Sequence, residues 1–355
     1  MTVVTMVGAG VMASALSTPL AANGHTVRLV GTHLDRDIID RIQTDGVHPV
    51  LQRELPPTVE AYQLERLADA IADAEIVVSG VNSFGVRWAG EQLAQVLRPE
   101  QLVLALAKGM DADEYGNLRV LTEVLTDPMP PEVRDVVPWS TISGPSIAGE
   151  VAAGRDTCVL FSGPDQYALD RMADVFRTGC YHVWTSTDLI GAEVSASMKN
   201  CYALAVGLAE GVLEAKGGPD GPDRFRNYEA AVFAQGAIEI GQMAQLLRDR
   251  SGLQAPSHAL PAVGDFYATS ASGRNRSVGR LVGAGVPFEQ ARERLGDPTL
   301  EGAAAIAVIG AALGPLTERR VVGPEDFPLV RHLYDVIVHD RTVHMPWGAF
   351  FGGER

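Results

Sequence analysis

Cysteine is scarce in this sequence: Cys158, Cys180 and Cys201 are the only three in 355 residues, and they show no metal-ligand spacing. An odd, scattered set excludes a disulfide framework and reads as small buried hydrophobes of a reducing compartment. The eight histidines also lack ligand spacing, which argues against a metal-dependent mechanism. His33, His182 and His258 read as ordinary surface or cleft residues. Positive charge is short as well: 29 Lys and Arg face 44 Asp and Glu, a formal net charge of −15. A nucleic-acid binder needs a basic surface, so that class is excluded. No apolar run approaches the roughly 18–20 residues of a membrane span. The opening MTVVTMVGAG lacks the basic segment of a signal peptide. These absences point to a cytoplasmic protein. What the chain does have is bulk: 46% of its residues are hydrophobic, and its length suits two domains.

Residues 2–7 form a β-branched, apolar run, followed by Gly8-Ala9-Gly10-Val11-Met12-Ala13. Ala13, Leu16, Leu20 and Ala21 then mark one face of a helix that stops at Asn23-Gly24, and a second strand covers His25–Val30. Strand, Gly-rich turn, helix, strand is the order of a dinucleotide-binding Rossmann unit. Gly8 permits the tight turn, Gly10 lets backbone approach a pyrophosphate, and Ala13 allows close helix–strand packing. The pyrophosphate then meets the free N–H groups at a helix N-terminus. The acidic residue due about 20 positions on, for the ribose 2′-hydroxyl, is displaced. The strand ends at Gly31-Thr32-His33, the first carboxylate is Asp35, and Arg36 follows. The choice between NAD and NADP therefore stays open.

A helix is predicted over Asp37–Asp45, a Pro-rich turn at Leu55-Pro56-Pro57 and a helix over Leu64–Ala74. Buried-type strands follow at Glu75–Gly80 and Gln101–Ala107. The first ends in Val81-Asn82-Ser83 at the carboxyl edge of the sheet, where ligands bind in open α/β folds. The second ends in Lys108-Gly109, which makes Lys108 a candidate for polarising a substrate oxygen. Thr141–Glu150 reads as a turn-rich run opening a helix, and Asp156–Ser162 and Tyr181–Thr185 as further strands around a helix at Tyr167–Phe176. Beyond Asp188 the pattern is almost wholly helical, interrupted by the linker Ala215–Asp223.

Residues 193–209 carry Val194, Met198, Cys201, Ala205 and Leu208 at helical spacings, and their other faces are apolar or small. A helix apolar all round is buried. Between Glu193 and Glu210 its one charge is Lys199. An ammonium there must be paired, hydrogen-bonded or deprotonated, unless its stem is buried and its head snorkels out. A second cluster, Gly264 to Arg276, reads as a polar loop with a carboxylate, hydroxyls and a cationic group extended by Arg280. Arg274, Arg276 and Arg280 form either an anion trap or surface pairs with Glu289 and Glu293.

Taken together, these motifs resemble the NAD(P)-dependent glycerol-3-phosphate dehydrogenase family over residues 2–340. The match is carried by Gly8–Ala13, Ala107-Lys108-Gly109, Ser143-Gly144-Pro145-Ser146 with Glu150-Val151, Met198-Lys199-Asn200, Gly264-Asp265 through Thr269 to Arg274-Asn275, and Leu300-Glu301-Gly302. The resemblance implies that Lys199 is the general acid/base for the C2 oxygen of dihydroxyacetone phosphate. It implies that Lys108 stabilises developing charge there, and that Asp265 and Thr269 orient Lys199 and the substrate hydroxyls. Arg274 and Asn275, with Asn200 and Ser146, would hold the substrate and its phosphate. Gly8, Gly10, Val11, Met12, Thr32, His33, Asn82, Lys108, Ala148, Arg274 and Glu301 would line the cofactor.

The chain departs from the family in places. Ser195-Ala196 stands where two glycines are usual, Gln235 where an Arg is usual, and the segment 212–227 is longer. These positions bear on the polyol end of the substrate, so another polyol or ketose phosphate, or another hydroxy compound, is an alternative. A non-catalytic dinucleotide sensor is a lesser one. The expected architecture is an α/β Rossmann-type domain with a mostly parallel sheet at 1–188 and an all-α substrate domain at 189–355, with the active site in the cleft. The expected cofactor is NAD or NADP, the partner a small phosphorylated substrate, and the assembly a homodimer.

Overall fold

The β-branched runs of the first half build one sheet. The computed structural model describes residues 1–217, 226–251 and 259–352. Its strands are β1 (Val3–Val7), β2 (Thr26–Val30), β3 (Val47–His48), β4 (Arg53–Glu54), β5 (Val59–Tyr62), β6 (Ile76–Ser79), β7 (Leu102–Ala105), β8 (Met110–Ala112), β9 (Leu118–Val120), β10 (Trp139–Ser143), β11 (Thr157–Ser162) and β12 (Tyr181–Ser186). Eight of them form a sheet in the order β12-β11-β10-β7-β6-β1-β2-β5, and β3-β4 and β8-β9 are separate hairpins. Every pairing in the large sheet is parallel except β10 with β11. The mostly parallel sheet expected from the sequence is therefore present.

Side chains alternate across this sheet. Val4, Met6, Val78 and Leu104 face one apolar core together with Leu16 and Leu20 of the first helix, Val11–Ala22. Val7, Val77 and Val103 face the other core with Ile71 and Leu93. Burial on both faces explains why these strands read as continuous apolar runs. β1 lies between β6 and β2, so successive crossovers leave it in opposite directions and open a crevice at its carboxyl end.

The chain divides into two compact units, Met1–Lys108 with Leu121–Ala192, and Gly109–Val120 with Glu193–Arg355. Among the described residues the second carries helices and one hairpin, β8-β9, which no sequence pattern announced. Its axis is the helix Leu189–Ala215, buried on every face from residue 191 to 211. Helices Arg226–Ser251, Arg274–Gly283, Glu301–Glu318 and Pro328–Val338 belong to the same unit.

Three local expectations are corrected. Thr141–Ser143 is not turn but the end of β10, paired with both β7 and β11. The helix expected at Leu64–Ala74 is a 3-10 turn at Leu64–Arg66 and a short helix at Leu67–Ile71. The cluster from Gly264 to Arg276 is not a loop: Asp265–Ala271 and Arg274–Gly283 are helical, and only Ser272-Gly273 joins them. Gly273 makes that junction at φ +125°, a conformation small enough to hide inside a helical run. Residues 218–223 of the expected linker, and His258, lie outside the described residues. Among the described residues no helix is long and apolar enough to cross a membrane.

Candidate functional site

In the first unit the Gly8–Gly10 turn sits at the carboxyl end of β1. Gly8 has φ +112°, and a Cβ there would stand 3.0 Å from the carbonyl carbon and oxygen of Gly80. A Cβ on Gly80 would in turn be 2.7 Å from Cβ of Ala13. The turn and the end of β6 thus touch backbone to backbone, and the first helix meets them through the Ala13 methyl, as the small residues required. Gly10 is different: a Cβ there would meet only the Gly80 oxygen, at 3.8 Å. It faces open space at the N-terminus of a 12-residue helix whose first intrahelical bond is Ser14 N–H to the Gly10 carbonyl, 2.9 Å. The unfilled space and the donor-rich helix end fit a dinucleotide pyrophosphate. Val11 and Met12 begin that helix, and the Ser146 hydroxyl lies 3.9 Å from Met12 Sδ.

The other expected cofactor residues of this unit are placed as follows. Thr32 is buried, and its hydroxyl donates to Asp35 Oδ2 at 2.8 Å. His33 is exposed, with its ring edge-on to Trp88 at 5.3 Å. Asn82 Oδ1 accepts from the N–H groups of Phe84 and Gly85 at 3.1 and 3.2 Å, which caps the turn after β6. Lys108 is half-buried beyond the end of β7, and Ala148 opens the short helix Ala148–Ala152.

In the second unit Lys199 is 5% exposed, which removes the snorkelling alternative. Its ammonium is ion-paired with Asp265 Oδ1 and donates to Thr269 Oγ1 at 3.0 Å. Thr269 Oγ1 lies 3.5 Å from the same Asp265 oxygen, so the three groups form one cluster. Asp265 and Thr269 are four apart on one helix and face the same way. That the cluster is helical, not looped, is what gives both side chains a common direction.

Asn200 is next to Lys199 and buried. A Cβ on Gly302 would be 2.5 Å from the Asn200 carbonyl oxygen and 2.7 Å from Asn275 Oδ1. The bare glycine therefore lets the Lys199 helix, the start of the Arg274–Gly283 helix and the start of the Glu301–Glu318 helix converge. Glu301 is the first residue of the last of these. Asn275 Oδ1 is buried with no hydrogen-bond partner among the described residues, a cost that a bound donor would relieve.

The three arginines divide. Arg276 pairs with Glu210 at 3.0 Å and donates to the carbonyls of Ser270 and Ala271, both at 2.8 Å. Arg280 pairs with Glu214 at 2.8 Å. Neither pairs with Glu289 or Glu293, and neither is part of a trap: they join the helix to Leu189–Ala215. Arg274 is exposed at the helix N-terminus and makes no ion pair among the described residues. Of the three candidates for an anion trap, only Arg274 is left without an ion pair among the described residues.

Two residues carried no signal in the sequence. His48, 0% exposed, has Nε2 3.0 Å from the carbonyl of Ala9 in the Gly-rich turn. A lone His at 39 residues' separation carries no local pattern. Glu239, also 0% exposed, accepts from the Tyr202 hydroxyl at 2.7 Å, from Gln235 Nε2 at 2.9 Å and from the N–H groups of Leu329 and Val330 at 2.7 and 3.1 Å. Burial pushes its carboxyl above the usual range, against the pull of those donors. Gln235, in place of the expected Arg, also accepts from Phe351 N–H at 3.0 Å.

The family model for the NAD-dependent glycerol-3-phosphate dehydrogenase N-terminus matches residues 3–168, and that for its C-terminus matches residues 188–346. The chain is 33% identical over 296 residues to an NADP(+)-dependent glycerol-3-phosphate dehydrogenase of Archaeoglobus fulgidus, covering 82% of this chain and 83% of that one. It is 29% identical over 360 residues to a glycerol-3-phosphate dehydrogenase [NAD(P)+] of Bacillus cereus, covering 100% and 97%. The solved glycerol-3-phosphate dehydrogenase of Plasmodium falciparum shares the fold at a TM-score of 0.80 and 17% identity, over 100% of this chain and 96% of that one. With models for both halves of the family matched, over residues 3–168 and 188–346, the chain belongs to the NAD-dependent glycerol-3-phosphate dehydrogenase family.

Proposed function

We propose that this chain interconverts sn-glycerol 3-phosphate and dihydroxyacetone phosphate with NAD or NADP. The observation that carries the proposal is the Lys199 ammonium, buried in an apolar helix and held by Asp265 and Thr269. A buried charge costs several kcal/mol unless it is paired, and this one sits where a proton can be handed on.

When bound, the nicotinamide supplies or accepts the hydride at C2. Lys199 Nζ gives a proton to the C2 carbonyl oxygen in reduction, and as the neutral amine it takes the hydroxyl proton in oxidation. Asp265 balances the ammonium, and the Thr269 hydroxyl fixes its direction. Lys108 is the proposed electrostatic partner of the same oxygen. Arg274 offers the phosphate an uncommitted, planar fork. The buried Asn275 oxygen needs a donor, which a substrate hydroxyl supplies, while its amide nitrogen is available to the phosphate. Gly8, Gly10, Val11 and Met12 hold the pyrophosphate. Thr32, His33, Asn82, Ala148 and Glu301 line the rest of the cofactor site. A cytoplasmic homodimer paired through the helical half is proposed from the family resemblance.

The test is the loss of reduced-nicotinamide absorbance with dihydroxyacetone phosphate and either NADH or NADPH. Lys199→Met is expected to lower kcat by roughly 10²–10⁴-fold and to leave cofactor binding unchanged. Full turnover by that variant would remove the acid/base assignment. Turnover of longer ketose phosphates in preference to dihydroxyacetone phosphate would reassign the substrate and leave the chemistry.

A further inference from the structure

Both peptide groups flanking Ala9 are held by side chains from elsewhere in the first unit. The Ala9 N–H donates to Asp35 Oδ2 at 3.1 Å, an oxygen that also accepts from Thr32 N–H at 2.9 Å and from Thr32 Oγ1 at 2.8 Å. The Ala9 carbonyl faces His48 Nε2 at 3.0 Å. His48 Nδ1 accepts from the N–H groups of Val50 and Leu51 at 3.2 and 3.1 Å. An atom that accepts two N–H groups carries no proton, so the hydrogen is on Nε2 and His48 donates to Ala9.

We propose that His48 and Asp35 are positioning residues that aim the Gly10 N–H at the cofactor pyrophosphate. The proposal rests on the reading of Gly8–Gly10 as the pyrophosphate turn. The peptide bond is planar and trans, so its C=O and N–H point opposite ways. Directing the Ala9 carbonyl into His48 turns the Gly10 N–H away from the hairpin, at a residue whose Cβ position has only the Gly80 oxygen nearby, at 3.8 Å. Asp35 fixes the preceding peptide in the same manner. The hairpin β3-β4 supplies the brace, since its histidine, at 0% exposure, is fixed by burial where it meets the Ala9 carbonyl. Asp35 is the first carboxylate after β2, yet one of its oxygens already takes three donors from the turn and the strand end. Its work is the turn, not the ribose. Because NAD and NADP share the pyrophosphate, the clamp serves both cofactors equally.

The test uses two substitutions that separate the two nitrogens of His48. His48→Asn keeps an acceptor at the Nδ1 position for Val50 and Leu51 but cannot reach Ala9. His48→Gln keeps a donor near the Nε2 position. Dissociation constants for NADH and NADPH are read from cofactor fluorescence, alongside thermal midpoints and the KM for dihydroxyacetone phosphate. His48→Asn is expected to weaken NADH and NADPH alike, by about tenfold or more, as for loss of an aligned donor to an anion. His48→Gln is expected to recover most of that loss, with the substrate KM unchanged in both. Asp35→Asn is expected to leave the ratio of the two cofactor constants unchanged. The proposal is overturned if His48→Asn lowers only the thermal midpoint, or if either substitution shifts one cofactor alone. Gly10→Asp, which sets a carboxylate against the pyrophosphate, tells the failures apart. Intact cofactor binding in that variant overturns the turn reading and the clamp together. Abolished binding there, with wild-type constants in His48→Asn, overturns the clamp alone.

Discussion

Arg274 and Arg276 are two residues apart and stand in opposite surroundings. Arg276 is mostly buried against Glu210, with side-chain exposures of 17% and 7%. Removing one partner of such a pair strands the other, at a cost of roughly 3 kcal/mol. Arg276→Ala is therefore expected to lower the thermal midpoint while the surviving folded enzyme keeps its substrate KM. Arg274 is exposed and makes no ion pair among the described residues. Arg274→Ala is expected to leave the midpoint within a degree or so and to raise the substrate KM by about 10–100-fold, the loss of one charge-assisted contact. Steady-state kinetics and calorimetry on the pair check both halves. A drop in stability for Arg274→Ala with unchanged KM would return that residue to a structural role. Sequence spacing grouped the arginines; only their partners on another helix separated them.

The elements that carry the site meet through bare glycines. Gly207 and Gly211 on the Lys199 helix face Gly279 and Gly283 on the Arg274 helix. A Cβ on Gly279 would be 2.1 Å from the Leu204 oxygen, and one on Gly283 would be 2.0 Å from that of Leu208. One on Gly207 would be 2.1 Å from the Arg276 oxygen. Backbone cannot swing aside as a side chain can, so these helices cross at near contact and fix where the Arg274 helix starts relative to the Lys199 helix. Gly279→Ala forces the axes apart, and overpacking of this kind costs about 1–3 kcal/mol. It is expected to lower the thermal midpoint by several degrees and to raise the substrate KM while leaving NADH affinity intact. An unchanged KM would show that the helix crossing does not set the phosphate end. Elsewhere in this unit Glu239 receives the N-terminus of the helix Pro328–Val338, where a carboxylate meets unpaired N–H groups and the positive end of the dipole.

At the scale of the molecule, acid sensitivity has a placed cause. His332 is half-buried, and its Nε2, itself buried, has no hydrogen-bond partner among the described residues. Burial holds its pKa below the ordinary 6.5, against the pull of Asp335 and with a further push from His344. A histidine depressed in the folded state stabilises the fold above its unfolded pKa, and that contribution is lost as pH falls through 6.5 toward the folded value. The thermal midpoint is expected to drop between about pH 7.5 and pH 5.5, and His332→Leu to flatten that drop. An unaltered slope in the variant would move the cause to other groups.

Much of the architecture was legible in one dimension because hydrophobic periodicity is a local property. The alternating runs of the first half, the Gly-rich turn at residue 8 and the all-apolar helix around Lys199 each announce their burial through neighbours in sequence. Element order then implied a mostly parallel sheet followed by helices. Partnership is different, since it joins residues that share no window. Asp265 and Thr269 close on Lys199 across some 70 residues, and His48 reaches Ala9 across 39. Arg276 turns from candidate ligand to buried strut because Glu210 stands 66 residues away on a helix brought close by glycines. The sequence by itself determined which segments must be buried and which chemistry the chain carries. The tertiary structure alone decided which charges neutralise each other and which, like Arg274, make no ion pair among the described residues, because pairing energy depends on distance and burial, and neither is written in local order.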